Sequence, residues 1–340
     1  MPVVVAPAVL RQGDGCLGRR AARTLGDMND TTGGGTVLIT GPTGGLGRAA
    51  TLAMARRPAA ERPDLLLVGR PGAGLSAIAA EARAAGAGVR EIGADLSRLD
   101  DVRAAAARID EVLAAGELRP LRALVANAGV TVTDTRTASA DGHELTFAVN
   151  HLAHAQLIGD LLERSAPPAR IVLVGSETYW ENRIRRILGV PPAEWRDPLE
   201  LARPADPGTA PTAKAAGVAY ATSKLAALYY AHELQRRAPE GVSVAVFEPG
   251  FMPGTGLARG HGAAVARIGQ VVQRLPIPGV SNPDRSGPAL AAVALDARWA
   301  HLRDGGYVLI DDERRNRPVA YDRAREERLW EATEELLRRS

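Results

Sequence analysis

A single cysteine, Cys16, excludes an intrachain disulfide, and nothing else in the chain points to an oxidising compartment. No apolar run is long enough to cross a bilayer, so no membrane span is expected. Long Lys/Arg runs are missing too. The net charge is only +3 despite a pI near 9.3, which argues against nucleic acid as a partner. Aromatic residues are 4% of the chain, so few rings are there to mark a ligand pocket. His151 and His154 mimic a metal pair but have no third ligand at sensible spacing, and no metal site is expected. What remains is 46% hydrophobic and 24% charged, ordinary for a globular protein with a sizeable core, expected in the cytoplasm as a monomer or homo-oligomer.

Residues 1–33 read as a disordered leader rather than part of the fold. Val3–Leu10 is apolar but short, and no basic residue precedes it as a secretory signal requires. Gly13, Gly15 and Gly18 weaken any helix after it. An internal start at Met28 is expected, with Gly33–Gly35 as the hinge into a single domain over 34–340.

Order is expected from Thr36. The apolar run Thr36–Thr40 reads as a buried strand, followed by a glycine-rich loop and a helix-forming run. Strand, glycine turn and helix is the arrangement that lets backbone approach a pyrophosphate at a helix N-terminus. The loop residues Gly41, Thr43, Gly44, Gly45, Leu46 and Gly47 are the candidate contacts. Its spacing is ambiguous: Gly41, Gly45 and Gly47 make GxxxGxG, whereas Gly41, Gly44 and Gly47 make GxxGxxG. After the second strand, Leu65–Gly69, stands Arg70 where an acidic residue would bind the ribose of NAD. A guanidinium there suits the 2′-phosphate of NADP(H). Strands alternating with helices predict an α/β, Rossmann-type doubly wound parallel sheet.

Tyr220 and Lys224 are four apart in a long apolar-faced helix, so their side chains share one face. A nearby ammonium is expected to lower the tyrosine pKa and make the phenol usable as an acid or base. Ser176 ends the fifth strand, Arg170–Ser176, on the side where parallel sheets hold their sites, and its hydroxyl can bond a substrate carbonyl. The insert 177–213 leaves from Ser176 and returns before Tyr220. Its Trp180 and Trp195 are expected to line the pocket, together with Phe251 and a substrate loop over 251–280.

Taken together, these motifs resemble the short-chain dehydrogenase/reductase superfamily. Phe147-Ala-Val-Asn150-His-Leu-Ala-His is similar to a string in its retinol dehydrogenase and protochlorophyllide reductase-like branch. The resemblance covers about residues 36–338. It implies that Asp95 and Leu96 border the adenine, and that Asn127, Ala128 and Gly129 line the cofactor. It also implies that Pro249 and Gly250 turn the chain so that Met252 and Thr255 touch the nicotinamide carboxamide. Asn150 would distort its helix and order a water leading to Lys224. For Asp95, a capping role at the next helix stays open. The implied activity is interconversion of a carbonyl and an alcohol on an apolar, polycyclic or polyketide-like molecule. Light-dependent protochlorophyllide reduction is not expected, because the one cysteine sits in the leader. Two alternatives remain: an extended-type sugar-nucleotide epimerase or dehydratase, and a non-catalytic NADP-sensing protein.

Overall fold

In the computed structural model the described residues are 34–182, 185–186, 189–252 and 280–340. The expected leader, Thr255 and most of the expected substrate loop therefore lie outside the described residues. Seven strands run parallel: β1 (Thr36–Thr40), β2 (Asp64–Gly69), β3 (Val89–Gly93), β4 (Leu121–Ala126), β5 (Ser165–Val174), β6 (Val242–Glu248) and β7 (Gly306–Leu309). A short eighth strand, β8 (Asp312–Arg314), turns back antiparallel on β7 and has no counterpart in the sequence reading. All three of its residues are exposed, so it carries no apolar pattern to find.

The sheet order is β3-β2-β1-β4-β5-β6-β7-β8, which makes the Rossmann-type doubly wound fold. Its direction reverses between β1 and β4, and the crevice of such sheets opens there, beyond the strand C-termini. Alternate residues of each strand feed two cores. Val37, Ile39, Leu65, Leu67, Val125 and Phe247 pack under α1 (Gly45–Ala55), α2 (Ala73–Ala84) and the later helix Pro283–Leu295. Leu38, Leu66, Leu124 and Ile171 pack under α3 (Leu99–Ala114) and the helices that follow it. Burial on both faces is why the strands read as unbroken apolar runs.

After β4 come α4 (Leu145–Phe147), a π-helical turn (Ala148–Leu152) and α5 (Ala153–Leu161). The insert holds a 3-10 turn (Glu177–Tyr179) and a short helix, α6 (Pro198–Leu201), before the long α7 (Ala213–Arg237), which starts behind the Thr212 cap. The helix α8 is Pro283–Leu295 and begins behind the Asn282 cap. Pro288 falls in its second turn, where its missing N–H removes one intrahelical bond.

The charged C-terminal helix α9 (Arg323–Arg339) backs α7. Trp330 stacks on Tyr230 with ring centroids 5.3 Å apart. Buried Glu326 bonds His232 Nδ1 at 2.8 Å and Arg236 at 2.6 Å. Replacing Glu326 with alanine leaves the buried His232 Nδ1 without its acceptor, a loss of about 1–3 kcal/mol, while Arg236 keeps Glu233. Urea unfolding of Glu326→Ala is expected to show a lower midpoint at unchanged slope; an unchanged midpoint would make the cluster decorative.

Candidate active site

The glycine loop joins β1 to α1. Gly41 and Gly45 have φ of +63° and +50°, the left-handed region that suits glycine. A Cβ on Gly47 would stand 2.1 Å from the Gly41 carbonyl oxygen and 2.5 Å from Asn127 Nδ2. Gly44 has an extended φ of −157° and open space around it. The backbone therefore demands glycine at 41, 45 and 47, and the GxxxGxG spacing is the one the fold uses. Thr43, Gly44 and Gly45 are exposed, while Leu46 is buried beneath them. The helix start behind the loop offers N–H groups with no intrahelical acceptor.

Asn127 does its work on the loop. Its Nδ2 donates to the carbonyls of Thr40 (2.8 Å) and Gly41 (3.1 Å). Thr40 Oγ1 in turn accepts the backbone N–H groups of Asn127 (3.0 Å) and Ala128 (2.9 Å). Its own hydrogen is left for His154 Nε2 at 2.9 Å, so His154 carries its proton on Nδ1 and donates to the Asn150 carbonyl at 3.3 Å. Burial holds the His154 pKa down at about 4. His154 and His151 are thus packing and hydrogen-bonding residues; His151 bonds Thr333 at 2.7 Å.

Arg70 is exposed just past β2 and makes no ion pair among the described residues. Asp95 accepts from Ser97 N (3.0 Å) and Oγ (2.8 Å), a local turn rather than a helix cap. The cap it was expected to supply comes instead from Asp141, which accepts from Leu99 N at 2.9 Å at the start of α3. Leu96 is buried in the core.

The four expected catalytic residues converge. Asn150 lies in the π-helical turn, its Oδ1 accepting from Val130 N (2.8 Å) and its Nδ2 donating to Val130 O (3.0 Å) and Ser223 Oγ (3.0 Å). Gly129 sits between Asn150 and Lys224: a Cβ there would be 3.4 Å from Asn150 Oδ1 and 3.8 Å from Lys224 Nζ. Lys224 is 5% exposed, donates to Val174 O at 2.8 Å and stands 5.6 Å from the Tyr220 ring centroid. Ser176 is within hydrogen-bonding reach of the Tyr220 phenol and accepts from Thr178 Oγ1 at 3.2 Å.

One expectation is corrected here. The net direction of the Tyr220 pKa is upward, above its ordinary value rather than below it. Atoms packed around the half-buried Tyr220 push its pKa up, Glu248 pushes the same way, and the Ser176 hydrogen bond offsets only part. Burial also brings Lys224 down to about 8, with Glu248 opposing. The phenol is therefore held as an acid.

Glu248 was missed in the sequence. It ends β6 directly before Pro249, and a lone acid closing an apolar strand was the available signal. It is 4% exposed; Gly250 N (3.1 Å) and the Tyr307 hydroxyl (3.2 Å) donate to it, and so does the Glu177 N–H. Burial and the Glu177 charge raise its pKa to about 7, against Glu177 N–H, Tyr307 and Arg185. Pro249 is held by Ser286 Oγ at 2.6 Å and Gly250 has φ +78°. Met252 is half-buried against the α8 core, and Phe251 is 58% exposed and bridged to Val280.

Trp195 faces away from Tyr220. Trp195 packs edge-on to Tyr229, ring centroids 4.7 Å apart. Tyr229 is nine residues past Tyr220 on α7, about two and a half turns, hence on the opposite helix face. Trp180 lies under two guanidinium groups, Arg317 at 4.0 Å and Arg185 at 5.3 Å. Pro191 of the insert meets the Tyr220 face of α7: its ring is 2.7 Å from where a Gly217 Cβ would be, one turn before Tyr220.

A glycine loop at a helix start and two hydroxyls near a buried lysine lie beyond the strand C-termini of a doubly wound sheet, an arrangement able to hold a nucleotide and deliver a proton. The short chain dehydrogenase family matches residues 35–185. "Putative daunorubicin C-13 ketoreductase DnrU" of Streptomyces sp. (strain C5) is 35% identical over 64% of this chain and 66% of its own length. Chloroplastic protochlorophyllide reductase A of Oryza sativa subsp. japonica is 28% identical over 93% of this chain and 84% of its own. A short chain dehydrogenase from Burkholderia cenocepacia J2315, solved in complex with NADP, shares the fold at TM-score 0.59 and 22% identity, covering 83% of this chain and 98% of its own. The chain belongs to the short-chain dehydrogenase/reductase superfamily and is an oxidoreductase of that family.

The raised Glu248 pKa has a testable sign. A folded-state pKa above the ordinary 4.5 means the carboxyl contributes most stability below 4.5 and loses it as pH rises through about 7. Glutamine cannot titrate. Wild type is therefore expected to lose stability relative to Glu248→Gln as pH climbs from about 5 to about 8. Parallel urea midpoints across that range would contradict the assignment.

Proposed function

We propose that the protein is an NADP(H)-dependent carbonyl reductase, interconverting a ketone and an alcohol on an apolar, polycyclic or polyketide-like substrate. The observation that carries this is the Ser176 hydroxyl within reach of the Tyr220 phenol, beside Lys224. The residues fit the cofactor: the cradle at Gly41, Gly45 and Gly47 tolerates no side chain, and Arg70 offers an unpaired guanidinium at the end of β2. A bound nicotinamide dinucleotide would supply or accept the hydride. The loop and the α1 N-terminus would hold its pyrophosphate, Arg70 its 2′-phosphate, and Lys224 its nicotinamide ribose.

Toward a carbonyl oxygen, Ser176 and Tyr220 both present O–H groups. Ser176 bonds the oxygen as charge grows on it. Tyr220 then releases its proton to that oxygen, and the Lys224 ammonium close to the ring stabilises the phenolate left behind. Asn150 keeps the loop after β4 against α7 through Val130 and Ser223, which makes it a positioning residue. Pro191, rather than Trp195, brings the insert to the substrate side. The similarity to DnrU, a ketoreductase by name, supports the carbonyl reading. The glycine requirement at 41, 45 and 47 speaks against an extended-type epimerase, and the assembled hydroxyl pair against a sensor.

NADPH oxidation with a panel of ketones tests the reading, with Tyr220→Phe as control. The variant is expected to lose about 10²–10⁴-fold in kcat while NADPH affinity holds. Retention of more than about a tenth of wild-type kcat would remove Tyr220 from the acid role. Arg70→Ala is expected to weaken NADPH binding by roughly tenfold or more, with NADH barely affected. Equal use of both cofactors by the wild type would overturn the role given to Arg70.

A further inference from the structure

At the opposite end of the sheet from the glycine loop, the beginnings of β4, β5 and β6 and the C-terminal end of α8 enclose a cavity of about 330 Å³. Four guanidinium groups line it, those of Arg57, Arg122, Arg170 and Arg303, against only two carboxylates, Glu61 and Asp296. Asp296 is committed to Arg57. Glu61 is exposed.

The other three arginines bond carbonyls alone. Arg122 donates to Ala166 O (3.2 Å) and Pro168 O (3.3 Å), and Arg303 to Ala300 O (2.8 Å) and Leu302 O (2.7 Å). Arg170 is 8% exposed. It donates from Nη1 to Val293 O, its Nε is enclosed with no acceptor, and no carboxylate pairs with it among the described residues. Burial and the neighbouring Arg303, against the pull of Asp296, depress its pKa to about 10, so it stays charged at neutral pH. Capping the last turn of α8 accounts for one N–H of five. It does not account for placing a second unpaired guanidinium beside a buried one, because buried charges are ordinarily paired.

We propose that this cavity binds a small phosphate-bearing molecule, at a site separate from the cofactor crevice. The excess of two positive charges matches a phosphate dianion, and guanidinium forks suit its oxygens. The volume leaves room for a body beyond the phosphate. Such a ligand would sit at the strand beginnings, leaving the crevice at the strand ends free.

Inorganic phosphate is the probe. It is titrated by calorimetry into the full chain, with and without saturating NADPH, against sodium chloride of matched ionic strength. Saturable heat that survives NADPH is expected, and Arg303→Ala should weaken it roughly tenfold or more while NADPH affinity holds. Arg170→Met should do the same, since an apolar group of similar length replaces a buried charge at little cost to folding. If that variant does not fold, exposed Arg303 decides alone. No heat beyond chloride, or wild-type phosphate affinity in Arg303→Ala, would overturn the site.

Discussion

Thr40 has one hydroxyl, and three elements depend on it. It receives two backbone N–H groups from the turn after β4 and gives its hydrogen to His154, whose ring then holds the carbonyl of Asn150 in the π-helical turn. Asn127, fixed by that turn, bonds the carbonyls at the start of the glycine loop and lies where a Gly47 side chain would have to be. Asn150 continues the series to Val130 and Ser223 on the catalytic helix. Each link is a buried polar group that must be satisfied, so loosening one leaves its neighbour unpaired. The cofactor cradle and the Tyr220 helix are positioned by one run of hydrogen bonds rather than separately.

Around Ser176 and Tyr220 the dominant electrostatic influence is desolvation. Enclosure raises Tyr220 and Glu248 and lowers Lys224, and Lys224 and Glu248 end within reach of each other's titration, at about 8 and about 7. A phenol kept protonated beside a marginal ammonium is suited to giving up its proton when charge develops nearby. Glu248 also ties the turn after β6 to the start of the insert and to Tyr307, so geometry and charge are coupled at one carboxylate.

The insert behaves as a strap. Its aromatic residues anchor it, Trp195 on the far face of α7 and Trp180 beneath Arg317 and Arg185, while Asp197 pairs with Arg328 of α9. With those anchors in place Pro191 is pressed against Gly217, where only hydrogen fits. Trp195 packs on the far face of α7, and Pro191 meets the face that carries Tyr220.

Local chemistry was enough to make much of this legible. Both-faces burial writes strands as apolar runs, helical periodicity puts Tyr220 and Lys224 on one face, and a strand-turn-helix with glycines marks the cradle. These depend on neighbours within a turn or a few residues, which the sequence by itself determined. Contacts between distant segments were decided only by the tertiary structure. That Gly47 is obligatory followed from the approach of Asn127, 80 residues further on. The direction of the Tyr220 pKa followed from enclosure and from Glu248 across the sheet, and the place of Trp195 from the face of α7 it happened to cover. Spacing along a chain carries periodicity but not enclosure, and enclosure sets both the charge state and the available space.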